Sequence, residues 1–104
     1  MKRASSIAVV TGSRADYGLQ YWLIDAIHGA ADLALQLIVT GSHLSQQFGH
    51  TADQISRDGF PIAARVPMIS EDDSEWAMAR SSGEGVVGMA DALKRLRPDL
   101  VVLP

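Results

Sequence analysis

The chain has 104 residues, 47% hydrophobic and 20% charged, which suits one packed domain or part of one and excludes a disordered segment or a fibrous repeat. Nine Lys and Arg against twelve Asp and Glu leave a net charge of -3, with no broad basic surface for nucleic acid or an anionic membrane, so any anion is held locally. Cysteine is absent, which removes disulfides, thiolate metal sites and a cysteine nucleophile together.

Met1-Lys2-Arg3 is followed by Ser5, Ser6 and an apolar run too short for a signal peptide, and no stretch approaches the ~20 residues of a membrane helix; a cytoplasmic protein is expected. Ile7-Ala8-Val9-Val10-Thr11, closed by Gly12, has the β-branched, non-alternating character of a strand buried on both faces of a parallel sheet. Behind it Leu19, Trp22, Leu23, Ala26, Ile27 and Ala30 recur at helical spacing, predicting a helix that buries them, with Asp16 as its N-cap. Residues 33–40 form a second apolar run, broken by Gln36 and ending in Val-Thr-Gly-Ser like the first, so strand, helix and strand make a βαβ unit.

Thr51 followed by Gln54 matches a capping box and opens a short helix that Gly59 and Pro61 end. Residues 60–66 read as a weaker strand, placed at an edge by Pro61 and Pro67. Ser70, Glu71, Asp72 and Asp73 open a longer helix that runs to Arg97, where Pro98 disfavours continuation, and Trp76 is expected on its buried face with Trp22 on that of the first helix. Residues 100–103 then form another buried strand. The alternation predicts an α/β fold, a doubly wound Rossmann-like parallel sheet with right-handed crossovers. A domain seldom stops at such a strand, so residues 1–104 are expected to be an incomplete N-terminal Rossmann-like domain, cut after its fourth strand.

Ligands of open α/β sheets bind beyond the carboxyl ends of strands, where strand order reverses. In the loop Gly12-Ser13-Arg14-Ala15-Asp16-Tyr17-Gly18, a guanidinium and free N–H groups at a helix N-terminus suit a phosphate or nucleotide diphosphate. A purely structural reading stays open there: Arg14 paired with a local acid, Asp16 capping and the glycines serving turns. In the second loop, Gly41-Ser42-His43-Leu44, His43 stands where an imidazole can donate to a phosphate or sugar oxygen or carry a proton. Gly83-Glu84-Gly85-Val86-Val87-Gly88 spells the dinucleotide fingerprint but falls inside a predicted helix with no strand before it. Its glycines are expected to bring that helix close to the sheet, and no nicotinamide or flavin cofactor is expected. The acids 71–73 and Glu75 are explained by a helix start, so no metal is expected either.

Three motifs in order carry a resemblance: residues 11–18 (Thr-Gly-Ser-Arg-Ala-Asp-Tyr-Gly); Val39-Thr40-Gly41-Ser42-His43-Leu44 with Phe48-Gly49, Thr51, Ile55 and Asp58-Gly59-Phe60; and residues 96–103 (Leu-Arg-Pro-Asp-Leu-Val-Val-Leu). Together they resemble the hydrolysing UDP-N-acetylglucosamine 2-epimerases over essentially the whole chain. The resemblance implies the N-terminal part of a two-domain glycosyltransferase-B type fold. It also implies conversion of UDP-N-acetylglucosamine and water to N-acetylmannosamine and UDP, the entry to sialic acid synthesis, by elimination of UDP and addition of water to the glycal. Arg14, Ala15, Asp16 and Gly18 would bind the UDP moiety, Tyr17 completes the motif, and His43 would meet the substrate near the reacting centre. The family's Gly-Asp-Arg acid falls beyond Pro104, so the 104-residue chain is expected to be inactive alone. The implied partners are a UDP-sugar and further copies in a dimer or tetramer. A non-catalytic nucleotide-binding module and a non-hydrolysing epimerase or glycosyltransferase relative are the alternatives.

Overall fold

A computed structural model describes residues 4–41, 51–67 and 75–104, the side chains at 77, 78 and 81 excepted. In chain order the elements are β1 (Ser5–Thr11), α1 (Arg14–Gly29), β2 (Leu33–Thr40), α2 (Thr51–Arg57), β3 (Ile62–Val66), α3 (Glu75–Leu96) and β4 (Leu100–Val102). All strand pairs are parallel, in the order β3-β2-β1-β4. β1 is therefore central, and residues 6–11 are all buried, as its unbroken apolar run predicts. β3 lies at an edge, as its flanking prolines require, and begins only at Ile62.

The two sheet faces carry separate cores. Ile7, Val9, Leu37 and Val39 pack with Tyr17, Ile24 and Ile27 of α1, Ile55 of α2 and Phe60. Ala8, Val10, Ile38, Ala64 and Val66 pack with Ala92 of α3, flanked by Met89, Leu93 and Leu96. Helices thus cover both faces, the architecture of a doubly wound Rossmann-like sheet. Among the described residues no helix is long and apolar enough to cross a membrane.

α1 buries Ile27 as its apolar spacing predicts, but otherwise a different face from the predicted one. Tyr17, Gln20, Ile24 and Ile27 are buried, whereas Leu19 is 89% exposed, Trp22 75% and Leu23 44%, and Ala26 is exposed too. Trp76 is likewise exposed rather than in the core. The N-cap of α1 is Ser13, not Asp16: the Ser13 hydroxyl accepts from the Asp16 N–H at 3.1 Å, and the helix begins at Arg14. An extended backbone at Ser13, directly after the glycine, leaves room for no longer loop.

Two helix ends show why motif residues stand where they do. At α2, Gly59 adopts φ +90° with its N–H on the Ser56 carbonyl, the Phe60 N–H reaches the Ile55 carbonyl, and Phe60 is buried, a Schellman ending. At α3 the left-handed residue is Arg97, φ +47°, whose N–H meets the Leu93 carbonyl, and Pro98 follows. Gln36, which interrupts the apolar run of β2, donates to the Leu96 carbonyl at 3.0 Å and caps the same end. Asp99 then secures β1: its carboxylate accepts the Ser6 N–H at 2.7 Å and its own N–H donates to the Ser6 carbonyl. The fingerprint Gly83 to Gly88 is helical, as expected, and a Cβ on Gly88 would lie 2.9 Å from Val66 Cγ1, so this glycine sets how closely α3 approaches β3.

Candidate functional site

The candidate site sits at the carboxyl ends of β1 and β2, where Gly12 and Gly41 meet backbone to backbone. Gly41 has φ +62°, and a Cβ there would fall 2.4 Å from the Gly12 carbonyl oxygen, so only glycine fits. This contact holds the two strand ends together and turns the chain straight into α1. Arg14, Ala15 and Asp16 are the first three helical residues, and Ser13 caps the N–H of Asp16. The N–H groups of Arg14 and Ala15 have no intrahelical acceptor, both residues are exposed, and the guanidinium adds a permanent charge. A helix N-terminus with exposed donors and an Arg fork is equipped to bind a phosphate group. Asp16, in the same turn, is half-buried; its Oδ2 would be 3.4 Å from a Cβ on Gly12, so it turns back toward the strand end. Gly18 falls within α1 on an exposed turn, where a Cβ would meet open space.

Tyr17 points the other way. Buried, it donates its hydroxyl to Asp58 Oδ2 at 2.5 Å, while Gln54 donates to Asp58 Oδ1 at 3.0 Å. Burial raises the phenol pKa above its ordinary value, and the Asp58 hydrogen bond and charge, then Tyr21, push it further the same way. The first motif and the Asp58-Gly59-Phe60 motif are thereby one unit, joined through Tyr17. His43, with Ser42, Leu44, Phe48, Gly49 and His50, lies outside the described residues, as do Ser70 and the acids 71–73.

Gln20 is a residue the apolar spacing overlooks. It is 8% exposed and donates Nε2 to the Val10 carbonyl at 3.1 Å, while its Oε1 is buried without a partner among the described residues. Ser6 turns its N–H and C=O toward Asp99, so by strand alternation Val10 also faces β4. Extending the β1–β4 register by one step sets Val10 opposite Leu103, and the donor due to its carbonyl would come from Pro104, which has no N–H. The Gln20 amide takes that place. Its signal in the sequence is its helical spacing with Tyr17, Ile24 and Ile27.

A family profile described as UDP-N-acetylglucosamine 2-epimerase matches residues 25–104, beginning inside α1. The UDP-N,N'-diacetylbacillosamine 2-epimerase (hydrolyzing) of Legionella pneumophila is 34% identical over 97 residues, covering 93% of this chain and 26% of that protein. The GDP/UDP-N,N'-diacetylbacillosamine 2-epimerase (hydrolyzing) of Campylobacter jejuni is also 34% identical over 97 residues, 25% of its length. A crystal structure of UDP-GlcNAc 2-epimerase from Neisseria meningitidis bound to UDP-GlcNAc superposes with a TM-score of 0.69 at 13% identity, over 94% of this chain and 25% of that one. The chain thus spans about a quarter of the length of the relatives it matches.

Proposed function

This chain belongs to the UDP-N-acetylglucosamine 2-epimerase family, and from that premise we propose that it forms the diphosphate-binding part of a hydrolysing UDP-sugar 2-epimerase. The observation that supports this reading is Arg14 at the start of α1, one residue past the Ser13 cap and directly beyond the carboxyl end of β1. Departure of UDP from C1 leaves negative charge on the diphosphate, and the guanidinium with the N–H groups of Arg14 and Ala15 neutralises it as it develops. Elimination across C1 and C2 gives a glycal; water then adds with inversion at C2 and releases the 2-epimeric sugar. His43 meets the substrate near that centre on this reading. The protein is the N-terminal part of a two-domain glycosyltransferase-B type enzyme of cytoplasmic nucleotide-sugar metabolism.

The names of the two 34% identical relatives favour a hydrolysing enzyme, and with the family's own description they make its sugar N-acetylglucosamine or N,N'-diacetylbacillosamine. Incubating the complete protein with each UDP-sugar separates the readings by product. Free UDP with the free 2-epimer is expected; a 2-epimer still attached to UDP would replace hydrolysis by simple epimerisation, and binding without turnover would leave a nucleotide-binding module. Arg14→Ala is expected to weaken UDP binding by about 1.5 to 3 kcal/mol, roughly 10- to 150-fold, measured by titration calorimetry. Unchanged UDP affinity would remove Arg14 from the site.

A further inference from the structure

Among the described residues Gln20 makes one side-chain hydrogen bond, Nε2 to the Val10 carbonyl at 3.1 Å, and its buried Oε1 has no partner there. The residue therefore serves as a donor, and what it holds is the end of β1. The two residues are ten apart in sequence, so the bond closes a ring around residues 11–19: the last residue of β1, Gly12, the Ser13 cap and the start of α1. Arg14 and Ala15, whose free N–H groups face solvent, lie inside that ring. Ile24 and Ile27 pack α1 on the sheet through apolar contacts. Such contacts are non-directional and tolerate small slides and turns of a helix, whereas a hydrogen bond to a backbone carbonyl has a defined distance and angle.

We propose that Gln20 is a positioning residue for the phosphate-binding turn. By holding the second turn of α1 on the Val10 carbonyl, it keeps the N–H groups of Arg14 and Ala15 and the Arg14 guanidinium in place beyond the end of β1 before any ligand arrives. Donors fixed in advance bind an anion without the ordering that a loose turn undergoes on binding, and they meet the charge of a departing UDP without reorganising. The proposal rests on the reading of that turn as a diphosphate site.

Gln36 supplies a matched control. It too donates Nε2 to a backbone carbonyl, at 3.0 Å, and leaves its buried Oε1 unpartnered among the described residues. Its acceptor is Leu96 at the end of α3, whose core lies on the sheet face opposite α1. In the complete protein Gln20→Met and Gln36→Met keep the side-chain length and each remove one such bond, so both are expected to lower the urea midpoint. Only Gln20→Met is expected to raise the dissociation constant for UDP, about five- to tenfold by titration calorimetry. Only Gln20→Met is expected to speed hydrogen exchange at the Asp16 and Tyr17 N–H groups, which the Ser13 hydroxyl and carbonyl protect. Should Gln20→Met not fold, Gln20→Leu has the same expected outcomes. UDP binding by the Gln20 variant as tight as the parent's, unchanged exchange at Asp16 and Tyr17, or an equal loss of affinity in Gln36→Met would each overturn the proposal alone. A parent that binds no UDP would overturn it together with the diphosphate site.

Discussion

Tyr17 ties the first turn of α1 to the end of α2, its hydroxyl on Asp58 while Gln54 holds the other carboxylate oxygen. Removing that hydroxyl in Tyr17→Phe keeps the buried ring and loses one charge-assisted hydrogen bond. With Asp58 itself exposed, the cost near neutral pH is about 1 kcal/mol, read as a lower urea midpoint. The pH dependence has a definite sign. The unfolded phenol releases its proton near pH ~10, while the folded one, raised by burial and Asp58, keeps it. Stability therefore holds up to about pH 10 and then falls, by up to about 1.4 kcal/mol per pH unit from this group, and Tyr17→Phe should flatten that alkaline limb. An equally steep limb in the variant would assign the fall to another group. The motif residues were legible as a cluster, but the division of labour among them was not. Sequence order sets Arg14 and Tyr17 three residues apart; only the start of the helix at Arg14 sends one toward solvent and the other into the core.

Among the elements, α1 shows how periodicity identifies a helix without identifying its buried side. Leu19, Trp22, Leu23 and Ala26 are more apolar than Tyr17, Gln20, Ile24 and Ile27, and both sets fit the helical period. The second set is buried because the sheet makes demands that hydrophobicity does not express: the Val10 carbonyl needs the Gln20 amide, and Asp58 needs the Tyr17 hydroxyl. In α3 one glycine of the apparent dinucleotide fingerprint, Gly88, was legible as a packing residue because no strand precedes the motif, whereas Gly83 is exposed and a Cβ there would meet no described atom within 4 Å. Gly88 makes this testable. Ala at that position gains about 1 kcal/mol of helix propensity but drives a methyl into Val66, which is 2% exposed and has nowhere to move. Overpacking of this kind costs about 1 to 3 kcal/mol, so Gly88→Ala is expected to lower the thermal midpoint, and a raised midpoint would mean α3 can lift from the sheet.

At the scale of the whole molecule, the strand order β3-β2-β1-β4 follows from two βα units wound one way and a crossover by α3 to the opposite side of β1. The doubly wound parallel sheet was legible because each strand is a mainly apolar run closed by Gly or Pro, and because the connections are long enough for helices. It puts the reversal of strand order between β1 and β4, next to the start of α1. On the proposed function, a chain about a quarter as long as its relatives carries one wall of the substrate site. The 104-residue polypeptide alone is expected to show phosphate-dependent chemical-shift changes at Arg14 and Ala15 on addition of UDP, yet no turnover of a UDP-sugar in a product assay; release of UDP above the uncatalysed rate would refute this.

Both tryptophans stand on the outside, Trp22 on the helix covering one sheet face and Trp76 on the helix covering the other, while among the described residues the buried aromatic side chains are Tyr17 and Phe60. Indole emission is therefore already that of a solvated ring in the folded monomer, and a denaturation curve followed at tryptophan wavelengths is almost blind to loss of the core.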